Sequence, residues 1–588
     1  PRTKNGRLVA CEPCQRRKYA CDRSFPICQR CKRSRAKDPC RYLSQSSQHH
    51  QTSAIHSDNS AIAFVALPQN DSTLTKYIQE TSNIQATDRS TQTGLSSNIY
   101  KINACLNNLQ TALDVLSSLP SPDAERILAK PHINPFDGWI PLSTTVLLAG
   151  LRTTFASAFC QESNGKHLEA LALTIFSNTA QKFPDSQWYP SEDWYTTISG
   201  PNLRWEVIGV LFSSWALSAL QNKEDIDGYR PRVLALKFFD VMECCIKFCR
   251  DKNANNVLLL YLLYRTSIVS SILHGPSNTG FWRFHSQAVS LACCMGLNIM
   301  PDASIQDPRI SEQSGRRLFT AIYVLDKAAA MFSGKLPLLP SDSCSTALPL
   351  DICNTILINW KPSQVVDYDS LGVNEKGWNK NGKIYSTTSL RARGLIAQIR
   401  ENIVTFALNK KQKSALNLIS LRSQQVNIFD SLPSDIRLTD GDTKVKSLEP
   451  HVLYTKLFIH LEHLQNLFLI EKLLQNAQPT LPRDSLIQTS LDIVSATVTF
   501  WTRNDILVGM QGDHEWFIVG YAVPAAVVLC EALLQIESHG GSTSSISNII
   551  QQLSLLGAFL EWLLAKVPCT DHCYRAKNLI SKVLDQVL

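Results

Sequence analysis

The chain has 588 residues, 44% of them apolar, and 58 Lys or Arg against 50 Asp or Glu give a net charge of +8. That length exceeds one ordinary domain, and the apolar share is enough to bury a sizeable core, which excludes a wholly disordered chain. The charge is unevenly placed: residues 1–43 hold thirteen Lys or Arg and the three acids Glu12, Asp22 and Asp38, a net +10, so the other 545 residues sum to −2. A basic block beside a balanced chain points to a polyanionic partner, with a solvated basic tail as the plainer alternative.

Pro1–Val9 is polar and basic rather than a secretory signal, so a reducing, intracellular setting is the expectation. Clustered cysteines in such a setting read as metal ligands before disulfides. Six of the 18 cysteines follow the pattern Cys11-x2-Cys14-x6-Cys21-x6-Cys28-x2-Cys31-x8-Cys40. A C-x2-C pair sets two thiolates on one side of a tight or first helical turn, which is the bite tetrahedral zinc requires. Two separate four-coordinate ions need eight metal–sulfur bonds, and six sulfurs supply them only if two bridge. The two halves are near repeats, so a pseudo-symmetric binuclear cluster follows. Six thiolates with two Zn²⁺ carry −2, which leaves the module near +8. A segment this small has almost no apolar core, so metal binding supplies much of its folding free energy.

Cys11-Glu-Pro-Cys14-Gln-Arg-Arg-Lys-Tyr-Ala-Cys21-Asp resembles the first half of the fungal Zn(2)-C6 binuclear cluster. Phe25-Pro26-Ile27-Cys28-Gln-Arg-Cys31 is similar to its loop and second half, and Cys40-Arg41-Tyr42 to its ending. The resemblance implies two short helices and loops around two zinc ions. Cys11 and Cys28 would bridge the metals, Cys14 and Cys21 complete one, and Cys31 and Cys40 the other. It also implies reading of CGG-like triplets in the major groove, with Lys18 in the base-contacting position and Arg17 beside it. Guanine offers a cationic donor two acceptors, N7 and O6. Arg16, Arg30, Lys32, Arg33 and Arg35 would hold phosphates, which gives affinity without sequence information. Gln15 stands where a basic residue is common.

Residues 44–98 are rich in Ser, Gln, Thr and Asn and read as a disordered linker, interrupted by one short apolar run, Ala61–Leu67. From 99 to 588 the pattern is helical. Ile102, Leu106, Leu109, Leu113 and Leu116 mark one helix face that ends near Pro120. That face reads as part of the following domain, with a two-heptad dimer zipper as the alternative. Apolar segments then recur at Leu147–Phe159, Leu203–Leu220, Val233–Phe248, Val257–Leu273, Phe281–Leu297, Arg316–Phe332, Leu390–Leu408, His451–Leu474, Leu486–Trp501, Trp516–Ile536, Ile549–Leu564 and Tyr574–Val587. Asp435–Thr443 reads as a loop between late helices. No run of alternating strands appears, so a large all-α domain, with room for two lobes, is the expected fold. Val257–Leu273, interrupted by Arg265, falls short of the ~20 residues of a membrane helix and reads as a buried one.

Trp282, Ala288, Ala292, Gly296-Leu297, Arg316-Arg317-Leu318-Phe319, Leu325-Asp326, Gly334 and Leu348-Pro349 resemble the middle homology region of the same regulators, strongest at about 200–360. Lys327 and Lys335 stand where arginine is more usual. Other motifs have bland readings. Gly377–Ile384 mimics a phosphate loop but lacks the metal-binding hydroxyl and a preceding strand, so it reads as a surface loop. Cys244, Cys245 and Cys249, and Cys569 with Cys573 and His572, read as helix thiols rather than metal ligands. His460 and His463 read as a surface pair. No nucleophile elbow or dinucleotide fingerprint is present, so an enzyme is not expected.

Taken together, the sequence predicts a nuclear, zinc-dependent factor regulating RNA polymerase II genes. Its expected partners are double-stranded DNA and the transcription machinery, with a homodimer as a further partner and no membrane. A zinc-dependent protein-interaction scaffold that does not read DNA is the alternative.

Overall fold

The computed structural model describes residues 14, 20–22 and 28–33 near the N-terminus and most of 108–587. Within the latter, 130–138, 140–143, 157–164, 184–193, 508–513 and several stretches of four residues or fewer lie outside the described residues. So do the expected linker 44–98 and its apolar run. The chain divides into two compact units, Pro1–Asp58 and Asn59–Leu588. The first contains one described helix, α1 (Gln29–Arg33).

The second unit is helical, and among its described residues only two isolated bridges stand in for strands. Its principal helices begin with α2 (Thr144–Thr154), α3 (Gly165–Ala180), α4 (Trp205–Gln221), α5 (Pro231–Asp251), α6 (Val257–His274), α7 (Thr279–Cys294) and α8 (Gln313–Ser333). There follow α9 (Ser386–Leu408), α10 (Ala415–Ser431), α11 (Pro450–Ala477), α12 (Asp484–Thr502), α13 (Val523–His539), α14 (Thr543–Lys566) and α15 (Asp571–Val587). Most expected segments are recovered to within a few residues. Sequence periodicity missed α3 and α10 and ran across a π-turn, Ile518–Ala522, that leads into α13.

Two large apolar cores organise these helices. The first gathers α2 to α7 and the first part of α8, around Trp205, Phe212, Trp215 and Phe248. The second gathers α10 to α15 with the end of α8 and the later part of α9, around Tyr454, Phe458, Phe500, Phe517 and Tyr521. α6 lies deep in the first core, with eleven consecutive buried residues from Val257 to Ser267. Its N-terminus is capped from within: Asn256 Oδ1 accepts from the amides of Leu258 and Leu259 at 3.0 Å. The Asn256 amide nitrogen donates to Glu206 Oε1 at 2.7 Å, so the cap is itself held.

Residues 108–117 are helical and give Ala112, Val115 and Leu116 to the first core, with Leu109 and Leu113 packed against it. The Ile102–Leu116 face, where described, therefore packs into the body rather than into a zipper. Among the described residues, three helices are long and apolar enough to cross a membrane: Val257–His274, His514–Gln535 and Ile546–Ala565. The length reading of α6 is thus corrected. The first two are 78% and 83% buried, so their apolar surface serves as core, whereas the third is 33% buried.

The crossing of α4 over α6 depends on Gly209. A Cβ there would stand 2.5 Å from a Leu262 methyl and 3.1 Å from Cys245 Cβ, both in a filled core. Gly209→Ala is expected to destabilise the body by about 1–3 kcal/mol through overpacking. Gly557→Ala, whose Cβ would meet nothing nearer than Ile580 at 3.9 Å, is expected to be stabilising by about 0.5–1 kcal/mol. Chemical denaturation of the two variants checks both signs.

Candidate metal centre and nucleic-acid interface

Four of the six expected zinc ligands lie among the described residues. Cys14 sits in a helical turn, Cys28 immediately precedes α1, and Cys31 is its third residue. The Cys14 and Cys28 sulfurs are 3.7 Å apart, and those of Cys14 and Cys31 are 3.9 Å apart. A tetrahedral ion with Zn–S bonds of about 2.3 Å spaces its sulfurs by roughly 3.8 Å, so the Cys14 and Cys28 sulfurs stand where one ion would hold both, with the Cys31 sulfur close beside them. Cys28 belongs to two candidate groups, one with Cys14 and Cys31 and one with Cys21 and Asp22. A sulfur shared between groups is what a bridging ligand must be. Cys28 is fully buried and Cys14 nearly so, while Cys21 and Cys31 are half-buried. The Cys31 amide donates to Cys28 Sγ at 3.3 Å, which favours the thiolate.

Asp22 has a role the sequence did not disclose. Its Oδ1 accepts from the Gln29 amide at 2.9 Å, tying the turn after Cys21 to the start of α1. A carboxylate there satisfies an amide that the helix itself leaves open. Cys11, Cys40, Arg16, Arg17, Lys18 and Arg35 lie outside the described residues, as do the side chains of Arg30 and Arg33. Lys32 is exposed on α1.

In the helical body, the motif residues form a clamp. Buried Arg316 and Arg317 lie in the first turn of α8 and hold the chain on both sides of it by carbonyls: Arg316 reaches Pro301 before the helix and Ala347 after it, and Arg317 reaches Ile352 and the Asn354 side chain. Arg391 of α9 grips the same stretch from the other side, through the carbonyls of Pro349 and Lys376. Burial pushes the guanidinium of Arg317 down to about 9 and that of Arg391 to about 10. The carboxylate among them, Asp351, accepts from Thr387 and Thr388 at 3.1 and 2.7 Å. The Leu348-Pro349 signature is therefore a backbone strap that arginines hold.

The Gly377–Ile384 loop packs on the strap: Asp351 N donates to Gly377 O at 2.9 Å, and Trp378 is buried. Its backbone is engaged by protein rather than free for phosphate. Cys245 and Cys249 are fully buried, and burial pushes both thiols well above the usual range, which disfavours metal-binding thiolates. Cys573 lies in the second core, and Cys569 is outside the described residues. Among the described residues, the groups able to hold a metal are the two in the N-terminal unit.

The expected surface pair His460 and His463 is corrected. His463 is buried beneath Phe429, stacked at 4.0 Å, and pairs with Gln425 Nε2 at 2.9 Å. Burial, with His460 adding to it, pushes His463 down to about 3, and burial alone takes His460 to about 4. The bonding partners, Gln425 and through it Asn466, come from α10 and α11 and carry no signal in sequence.

A cysteine-rich unit with clustered thiols, a basic N-terminal segment and a helical body fit the class of zinc-cluster proteins that carry a large helical domain. Comparison with protein families agrees. Residues 9–50 match the fungal Zn(2)-Cys(6) binuclear cluster domain, and residues 208–383 match the fungal specific transcription factor domain. The chain thus carries both domains of the fungal zinc-cluster transcription factors, and it is a DNA-binding transcription factor whose cluster takes two zinc ions. Comparison with curated proteins yields no match.

Elemental analysis of the purified chain is expected to return two zincs per molecule. Chelation should melt the cluster while the helical body keeps its circular dichroism. Asp22→Ala is expected to lower zinc affinity by roughly 10–100-fold, as outer-shell losses do. Competition against a colorimetric zinc chelator measures it.

Proposed function

We propose that this protein is a nuclear, sequence-specific regulator of RNA polymerase II genes that reads CGG-like half-sites in the major groove. The observation that carries the reading is the gathering of the Cys14, Cys28 and Cys31 sulfurs, 3.7 and 3.9 Å apart, within a segment of net charge +10. Residues 1–43 form the DNA-binding domain, 44–98 the linker, and 99–588 the regulatory domain. Cys11 and Cys28 bridge the two zincs, Cys14 and Cys21 complete one, and Cys31 and Cys40 the other.

Lys18 donates to guanine N7 and O6, with Arg17 beside it. Arg16, Arg30, Lys32, Arg33 and Arg35 neutralise phosphates. The metals fold the unit and bring no reaction, and the protein is not an enzyme. The helical body engages the transcription machinery, and the regulated genes belong to a metabolic or biosynthetic pathway. Two copies binding paired half-sites would double the phosphate contacts and the base readout.

Lys18→Met is expected to cost about 1–3 kcal/mol on a CGG duplex and to relax preference at that position. Arg33→Ala is expected to weaken all duplexes alike and to reduce the slope of log K against log salt by about one. Fluorescence anisotropy on CGG and scrambled duplexes over a salt series measures both. Equal losses on the two duplexes for Lys18→Met would remove its base-reading role.

A further inference from the structure

The two apolar cores meet along a polar seam. Among the described residues, the helices of the first core, α4 to α7, and those of the second, α10 to α15, are joined by substantial packing only through α8 and α9. On α8, Val324 faces the first core and Ala330 the second, and Asp326 and Lys327 lie between them. On α9, Ala397 belongs to the first core and Ile399 and Ile403 to the second, and Glu401 lies just inside the second, one turn beyond Ala397. Lys327 Nζ stands 3.2 Å from Asp326 Oδ2 and 3.1 Å from Glu401 Oε2. Tyr323 donates to Glu401 Oε2 at 3.1 Å, and His285 of α7 meets Asp326 Oδ1 at 3.0 Å. All five side chains are buried.

The strap after α8 is fastened to this seam by its backbone. The amides of Leu338 and Leu339 donate to the two oxygens of Asp326 at 3.0 Å, and the amide of Ser341 donates to Glu401 Oε1 at 2.9 Å. The Leu339 carbonyl accepts from Lys327. The leucines of the strap do little of this: Leu336 is 60% and Leu338 42% exposed, and Leu339 alone is buried. The strap leaves α8 through Gly334 at φ 62°, a left-handed pivot. Further on it is sewn to the chain after α7, where Ser345 N donates to Asn298 O at 2.8 Å and Asn298 Nδ2 to Ser343 O at 3.0 Å.

We propose that the body is a two-lobe device that opens about this seam, with residues 334–346 as its latch. A polar seam opens differently from an apolar one. Its ions regain hydration on opening, so the open state lies within reach. Partly open arrangements leave buried carboxylates unpaired, so the seam favours two discrete states over a continuum. Any partner that prefers one state shifts the other lobe with it.

The zinc-loaded full chain tests this. In the wild-type protein, native-state hydrogen exchange should show the amides of Leu338, Leu339 and Ser341 opening together, well before those of Leu260 in α6 and Ile493 in α12. If they exchange only with α6 and α12, the latch does not open by itself and the proposal fails. Fluorescent labels placed through noncanonical amino acids at Val233 and Leu416, exposed on α5 and α10, report the lobe separation. Glu401→Gln should add a second, longer separation to the single-molecule distribution, and Lys327→Arg, which keeps the charge, should not. An unchanged single separation in Glu401→Gln overturns the proposal; should that variant fail to fold, the wild-type exchange pattern decides.

Discussion

Eighteen of the 21 residues of α8 are buried, and four of them, Arg316, Arg317, Asp326 and Lys327, are charged. A helix of this kind can stand inside a protein only if every charge finds its partners there. That requirement shapes the surrounding chain. The arginines draw in the carbonyls of the strap, the Asp326 carboxylate draws in its amides, and Lys327 draws in Glu401 from α9. Burial opposes the charged form of Asp326, but His285, Lys327 and the Leu338 amide outweigh it and hold its carboxyl below the ordinary range. The loop between α8 and α9 has little helix of its own and is held by the ions on either side together with a small apolar cluster of its own, Leu350, Ile352, Leu357, Tyr368, Leu371 and Val373.

The N-terminal unit solves the same problem with metal instead of apolar packing. Its described thiols lie close enough to repel one another as bare thiolates, and two divalent cations turn that repulsion into cohesion. The unit and the body thus share a principle: concentrated charge, neutralised locally, fixes backbone geometry where hydrophobic area is scarce or already committed. The first 43 residues are left with a net positive charge, and the rest of the chain sums to near neutrality.

How much of this the sequence disclosed depended on whether a residue's partner lay nearby in the chain. The cysteine spacing carries its own geometry, because each C-x2-C pair is a local bite. The long apolar helices, such as α6 and α12, announce themselves by content. α10 did not, since the side chains it buries are Leu418, Leu421 and Gln425, and the glutamine is accepted inside only because His463 and Asn466 meet it. α3 hid for a related reason, with Ala172 and Thr179 at buried positions that carry little hydrophobic signal. Asp22 read as one acid among many basic residues, because its partner, the Gln29 amide, is fixed by the fold and not by spacing. The motif Arg316-Arg317 with Leu348-Pro349 was visible as a pattern, but its meaning, side chains gripping a carbonyl row, appears only once the two stretches are brought together.

The helical stretch 108–117 has a consequence for assembly on DNA. Leu109, Leu113 and Leu116 lie against the first core together with Ala112 and Val115. The same side chains cannot line a seam between two copies without abandoning the body. A pair of these molecules on a double half-site would therefore have to meet through some other surface, and the register between the two triplets would not be dictated by a rigid rod rising from this part of the chain.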